Sequence, residues 1–173
     1  RKQDAQPFRL AWDGVAYLVG PNVHRFARPI ARMDFLRLSD GPEIRALVYT
    51  ALGQLLGPGA HTIHLMIGAP VEALADQQTG RQMRAGLRSW LVGEHAFTLD
   101  GVETVVRVAH KRDVQVMAQP AGAFFAWGMD DTGQWRQAVH TLEAQVAICD
   151  LGFNTLDVFS VRGGQVDARY TGG

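Results

Sequence analysis

The sequence predicts an α/β fold in which a mixed sheet is flanked by helices. Apolar runs bounded by turn residues alternate along the chain with segments whose apolar residues recur every three or four positions. Two Asp-Gly pairs, Asp13-Gly14 and Asp100-Gly101, separate short apolar runs and predict hairpins. With 173 residues, 47% of them hydrophobic, the chain can form one domain, or two small lobes that share a sheet.

The first part of the chain predicts a hairpin followed by a long helix. Phe8 to Trp12 and Val15 to Val19 are the hairpin strands, and residues 22–38 are predicted to be a loop with a short helical turn. Ser39-Asp40-Gly41-Pro42 predicts a helix start, since a side-chain oxygen can cap free amides and proline suits the first turn. Gly57-Pro58-Gly59 ends this helix. Its predicted buried stripe consists of Ile44, Leu47, Val48, Ala51, Leu52 and Leu55.

The rest of the chain continues this alternation. His61 to Ile67 is predicted to be a strand that Gly68-Ala69-Pro70 stops, and Arg162-Gly163-Gly164 joins the last two strands. The further predicted helices are Val71 to Leu74, Arg81 to Leu91, Ala121 to Trp127 and Trp135 to Glu143. The further predicted strands are Glu94 to Thr98, Val102 to Val108, Asp113 to Met117, Val146 to Cys149, Thr155 to Val161 and Gln165 to Tyr170.

Composition argues against two classes of partner. The chain has 17 basic and 17 acidic residues, so no basic excess indicates direct binding of nucleic acid. No apolar run approaches the ~20 residues of a membrane span, and the polar start Arg1-Lys2-Gln3-Asp4 does not have the pattern of a signal peptide. A single cysteine, Cys149, fits a reducing compartment. We therefore expect a cytoplasmic protein without membrane contact.

The histidines and the cysteine receive structural interpretations. His61 and His64 are three positions apart on a predicted strand, so they should face opposite sides, which disfavours a shared metal ion. Cys149 lies in an apolar strand and is expected to behave as a small hydrophobic residue.

The segment from Ala147 to Val161 carries the strongest chemical signal. An apolar strand ends at Asp150, a Gly-containing turn follows, and Asp157 lies on the returning strand. A buried unpaired carboxylate is unfavourable, Gly152 allows backbone amides to approach a ligand, and successive amides can bind an anion. Magnesium prefers oxygen ligands and needs only one or two carboxylates beside phosphates. An ordinary hairpin with Asx-type turn bonds at Asp150 and Asn154 explains the same residues, and chemistry alone leaves both readings open.

At these residues the chain resembles the bacterial actin-like ATPases. Asp150-Leu151-Gly152-x-x-Thr155-x-Asp157 resembles the second phosphate loop of the superfamily of actins, heat-shock chaperones and sugar kinases, with the closest likeness to plasmid-segregation actins of the ParM/StbA type. Tyr17-Leu18-Val19-Gly20 resembles the hairpin after that family's first loop. Ile67-Gly68-Ala69-Pro70 resembles its Gly-Leu-Pro turn. Val116 to Ala123 resembles the segment that leads into a helix under the nucleotide.

The resemblance implies ATP and Mg²⁺ as ligands and gives each matching residue a role. Asp150 would hold magnesium or order the attacking water, and Asp157 would add a second carboxylate to the metal and nucleotide site. Gln119 would position the water for hydrolysis. The phosphates would be bound by the loop residues Gly152, Phe153, Asn154 and Thr155. Phe153 departs from the family pattern, since many members carry glycine there.

The resemblance also implies an actin-like, ribonuclease H-like domain I covering residues 1–173. The family's first phosphate loop, an Asp-x-Gly turn, does not occur before Phe8, and its adenosine-binding glycine motif belongs to a second domain. We therefore expect a domain I that is incomplete at its N-terminus, with the second domain absent, as a fragment of a two-domain fold.

The expected function of the full-length protein is that of an ATPase that polymerises into filaments, acts in plasmid or DNA segregation and reaches DNA through an adaptor protein. The fragment of residues 1–173 alone is expected to be inactive. Two alternatives stay open. The chain could be a non-catalytic interaction module on half of an actin fold, or another member of the superfamily, such as a kinase or a chaperone.

Overall fold

The computed structural model describes residues 5–28, 41–137, 141, 143–152 and 156–172. Helices α1 to α4 are Pro42–Leu56, Val71–Ala75, Gln77–Leu91 and Gln119–Gly128. Strands β1 to β5 are Phe8–Trp12, Val15–Val19, Gly59–Thr62, Leu65–Ala69 and Gly93–Leu99. Strands β6 to β10 are Val102–Val108, Val114–Ala118, Gln145–Leu151, Leu156–Arg162 and Gln165–Val166. Strands and helices therefore interleave, as the sequence predicts.

The chain divides into two units. The first comprises Arg1–Leu65 and Met83–Val114, and the second comprises Met66–Gln82 and Gln115–Gly173. Among the described residues, no helix is both long enough and apolar enough to cross a bilayer.

The first unit contains a five-stranded mixed sheet in the order β2-β1-β5-β6-β3. All its neighbouring strands are antiparallel except β3 and β6, which are parallel. Both predicted Asp-Gly hairpins are confirmed. Asp13 and Gly14 have φ values of 51° and 73°, and Asp100 and Gly101 have 51° and 82°, the positive angles that a type I′ turn requires.

Helix α1 lies on the first sheet. Ile44 and Leu52 of the predicted stripe are buried, but other predicted positions are not. Leu55 is 81% exposed and Leu47 is 45% exposed, whereas Tyr49 and Gly53 are buried. A Cβ atom on Gly53 would come within 2.9 Å of Leu99 and 3.2 Å of Phe97, so glycine permits the close approach of helix and strand. The helix starts with Gly41 as its cap residue, without a side-chain cap. The predicted capping residues 39 and 40 lie outside the described residues.

An aromatic cluster fixes the orientation of α1. Tyr49 stacks on Phe97 with ring centroids 5.0 Å apart and packs edge-on against Trp12 and Trp90. Its hydroxyl donates to His95 Nδ1 at 2.9 Å, because His95 Nε2 donates to the Leu91 carbonyl. Burial raises the pKa of the Tyr49 phenol, and the positive charge of Arg45 partly opposes that rise.

The predicted single strand from His61 to Ile67 is wrong. It is two strands that enter different sheets, with β3 beside β6 and β4 beside β7. The chain leaves the first sheet after Ile63, whose N–H bonds to the Arg107 carbonyl. His64 Nδ1 then lies 3.3 Å from an Asp113 carboxylate oxygen.

The second unit contains two sheets. One consists of β4 and β7, whose first residues, Leu65 and Val114, belong to the first unit. The other has three strands in the order β10-β9-β8. Helix α4 packs on the latter through a core of Ala121, Phe124, Phe159 and Val161. Trp135 lies directly on Gly128, where a Cβ atom would overlap its ring. Residues 135–137 are not helical, which corrects the start of the predicted helix Trp135 to Glu143; residues 138–140 and 142 lie outside the described residues.

Candidate functional site

The strand–turn–strand predicted around Asp150 is confirmed. Strands β8 and β9 pair antiparallel, with Asp150 directly opposite Asp157 and Leu151 opposite Leu156. Residues 152–155 connect the two strands. Opposed residues of an antiparallel pair point to the same face and have Cβ atoms about 4.5–5.5 Å apart. The hairpin therefore brings the two predicted carboxylates together, which a separation of seven positions in sequence does not by itself require.

The carboxylates lie on the hairpin face that packs on α4. Val146, Ile148 and Asp150 alternate with exposed residues along β8, and all three are half-buried. On β9, half-buried Asp157 is followed two positions later by Phe159, which is buried against α4. The two acids thus continue an apolar face to its end beside the turn.

Asp150 and Asp157 are a pair of like charges without a compensating partner in the described part of the chain. Within the described ranges, no hydrogen bond or ion pair joins Asp150 or Asp157 to another residue. Like charges directly opposite each other destabilise an antiparallel pair, and partial burial removes water that would screen them. The arrangement therefore suits a cation or external hydrogen-bond donors.

The carboxylates of Asp150 and Asp157 fit magnesium only if a bound molecule, such as a nucleotide, supplies further oxygen ligands. The described residues contain no group of three or more His, Cys, Asp or Glu side chains that could hold a metal ion. Magnesium needs near-octahedral oxygen ligands, and it is commonly held by one or two carboxylates plus phosphates and waters. Asp150 and Asp157 can supply the one or two carboxylates that the protein contributes to such a site.

Gln119 is the first residue of α4, and its side chain is exposed. Pro120 at the second helical position is buried and fixes the start of the helix. Gln119 therefore begins the helix whose buried face packs on the hairpin of Asp150 and Asp157. No hydrogen bond joins the Gln119 amide to either carboxylate among the residues that the structure describes.

Gly68 on β4 supports Gln119, a contact that sequence reasoning missed. A Cβ atom on Gly68 would lie 3.3 Å from Gln119 Cα and 3.4 Å from Gln119 Cβ. Gly68-Ala69-Pro70 and Gln119-Pro120 each end a strand, and β4 and β7 are neighbours in one sheet. The similar strand endings are the signal that could have linked them.

The phosphate-binding turn itself is only partly described. Gly152 is exposed and follows β8 directly. Phe153, Asn154 and Thr155 lie outside the described residues, so their predicted roles stay predictions.

Beside the turn, the opposite face of the hairpin is apolar and exposed. Leu151 is 82% exposed and its cross-strand partner Leu156 is 54% exposed. Cys149 lies in β8, the strand in which it was predicted, but its side chain is exposed and does not pack as a buried hydrophobic residue. Strand alternation explains this, because Cys149 lies between the two core-facing positions Ile148 and Asp150.

Comparison with known proteins identifies the family. A family model described as "Actin like proteins N terminal domain" matches residues 2–122, a range that includes Gly68 and Gln119 but not the Asp150 hairpin. No curated protein sequence matches the chain.

Solved structures share the fold at low sequence identity. Apo pSK41 ParM has 16% identity and a TM-score of 0.75, with 99% of this chain and 52% of that chain covered. AlfA from the B. subtilis plasmid pLS32, solved as a filament, has 16% identity, a TM-score of 0.62 and coverages of 99% and 57%. An AlfA filament bound to AMPPNP has 16% identity, a TM-score of 0.55 and coverages of 99% and 56%. This chain thus spans about half the length of these proteins.

The predicted α/β class, with a mixed sheet and flanking helices, is confirmed as an actin-like fold. The family match extends over more than half of the chain and agrees with the shared fold. The chain belongs to the family of actin-like proteins and contains their N-terminal domain.

Proposed function

We propose that residues 1–173 form domain I of an actin-like ATPase that binds ATP with Mg²⁺ and polymerises. One observation carries the proposal: in an actin-like fold, Asp150 and Asp157 oppose each other next to Gly152, and neither has a partner among the described residues. That pair provides hard oxygen ligands where the predicted phosphate loop begins and ends. The actin-like fold supports this assignment but does not by itself select ATP.

The chemistry of each side chain suggests its role in the proposed site. Asp150 and Asp157 would hold Mg²⁺, which when bound neutralises charge on phosphate oxygens. Gly152 and the proposed loop residues Phe153, Asn154 and Thr155 would direct backbone N–H groups and a hydroxyl toward the phosphates. Gln119 can orient a water molecule by hydrogen bonds but accepts a proton poorly. Turnover would therefore depend on positioning and electrostatics.

We further propose that the protein self-associates and acts in plasmid or DNA segregation in the cytoplasm. AlfA, which shares the fold, forms a filament and comes from a plasmid. Head-to-tail contacts that repeat without closing generate such filaments. The equal numbers of basic and acidic residues fit contact with DNA through an adaptor protein rather than directly.

The test combines nucleotide binding with assembly in the whole protein that contains this domain and in its Asp150→Ala variant. The parent should bind a fluorescent ATP analogue in a Mg²⁺-dependent manner, and light scattering should rise when ATP and Mg²⁺ are added. We expect Asp150→Ala to lower the affinity for Mg²⁺-ATP about 10–100-fold, as loss of a group that holds a metal commonly does. Asp13→Ala, which changes a carboxylate in a hairpin turn of the first unit, is the matched control and should bind as the parent does.

Equal ATP hydrolysis by Asp150→Ala and the parent would remove the site assignment. Assembly without nucleotide, in a protein that does not bind ATP, would instead favour the non-catalytic interaction module. Phosphate transfer to a small-molecule acceptor would favour a kinase of the same superfamily.

A further inference from the structure

We draw no further inference here: the strongest candidate, a cavity of about 560 Å³ in the first unit that Phe8, Leu18 and Phe26 line beside Arg9, carries no proposal because nothing in the described part of the chain shows which ligand or segment occupies it.

Discussion

Two antiparallel hairpins of this chain use acidic residues in opposite ways. In β5–β6, the turn carboxylate of Asp100 accepts a hydrogen bond from the Arg9 N–H at 2.8 Å, and Glu94 faces Arg107 across the strands. In β8–β9, Asp150 faces Asp157, and neither has a partner among the described residues. The first hairpin places charge where it stabilises the sheet. The second keeps like charges together, which lowers stability and suits the binding of a cation.

The largest expected effect tests the structural role of the first hairpin. Phe97 on β5 is 3% exposed and stacks on Tyr49. Phe97→Ala should lower the free energy of unfolding by about 3–5 kcal/mol, measured by urea denaturation. Phe125→Ala, at a position that is 40% exposed, is the control and should cost much less. A small loss at Phe97 would mean that this hairpin does not anchor the core.

The second prediction concerns the support of the candidate site. Gly68→Ala places a Cβ atom 3.3 Å from Gln119 Cα, and that backbone cannot yield easily because buried Pro120 follows it. We expect a loss of about 1–3 kcal/mol in the free energy of unfolding, and slower ATP hydrolysis through displaced Gln119. Gly122→Ala, in open space on α4, should instead stabilise by about 0.5–1 kcal/mol. An unchanged rate of ATP hydrolysis in Gly68→Ala would mean that hydrolysis does not depend on the position of Gln119.

The third prediction uses pH on the aromatic cluster of the first unit. Burial raises the pKa of Tyr49, so its contribution to stability is complete below the unfolded pKa and is lost as pH rises through the folded pKa. Tyr49→Phe should cost about 0.5–1.5 kcal/mol at pH 7, because the hydrogen bond to His95 is lost. Urea unfolding at alkaline pH, above the ordinary pKa of 10.0, should show a smaller difference between parent and variant. A difference that grows with pH would contradict the assigned direction.

The turns were predictable from sequence because their chemistry is local. Asp-Gly pairs need positive φ angles that few other residues tolerate, so Asp13-Gly14 and Asp100-Gly101 fixed two hairpins correctly. The strand–turn–strand at Asp150 was also predictable from local sequence, because two apolar runs flank a short segment that contains Gly152. The fold class followed from the order of these segments.

The missed features depend on contacts between distant segments. The buried face of α1 is set by Tyr49, which bonds to His95, and by Gly53, which admits Leu99. Neither residue stands out in an apolar periodicity. The contact of Gly68 with Gln119 likewise requires β4 and β7 to be neighbours, which no local pattern encodes.

The smallest expected effect distinguishes the two hairpins most sharply. Removing one acidic charge from each hairpin should change the free energy of unfolding in opposite directions. Asp157→Asn removes one of two like charges without changing shape much, and should raise the free energy of unfolding by about 0.2–1 kcal/mol without nucleotide. Glu94→Gln removes one of two opposite charges from β5–β6 and should lower it by a similar or smaller amount. Both differences should shrink at 1 M salt, where screening acts over about 3 Å.

Adding Mg²⁺-ATP should then make the parent more stable than Asp157→Asn, whereas the stability difference between the parent and Glu94→Gln should not change. Mg²⁺-ATP stabilises a protein that binds it by mass action, so the parent should gain more stability than Asp157→Asn, while Glu94→Gln and the parent should gain equally. If Asp157→Asn is less stable than the parent even without ligand, the carboxylate has a stabilising partner inside the protein. The pair would then belong to the fold, as Glu94 and Arg107 do, and the case for a cation at Asp150 would lose its physical basis.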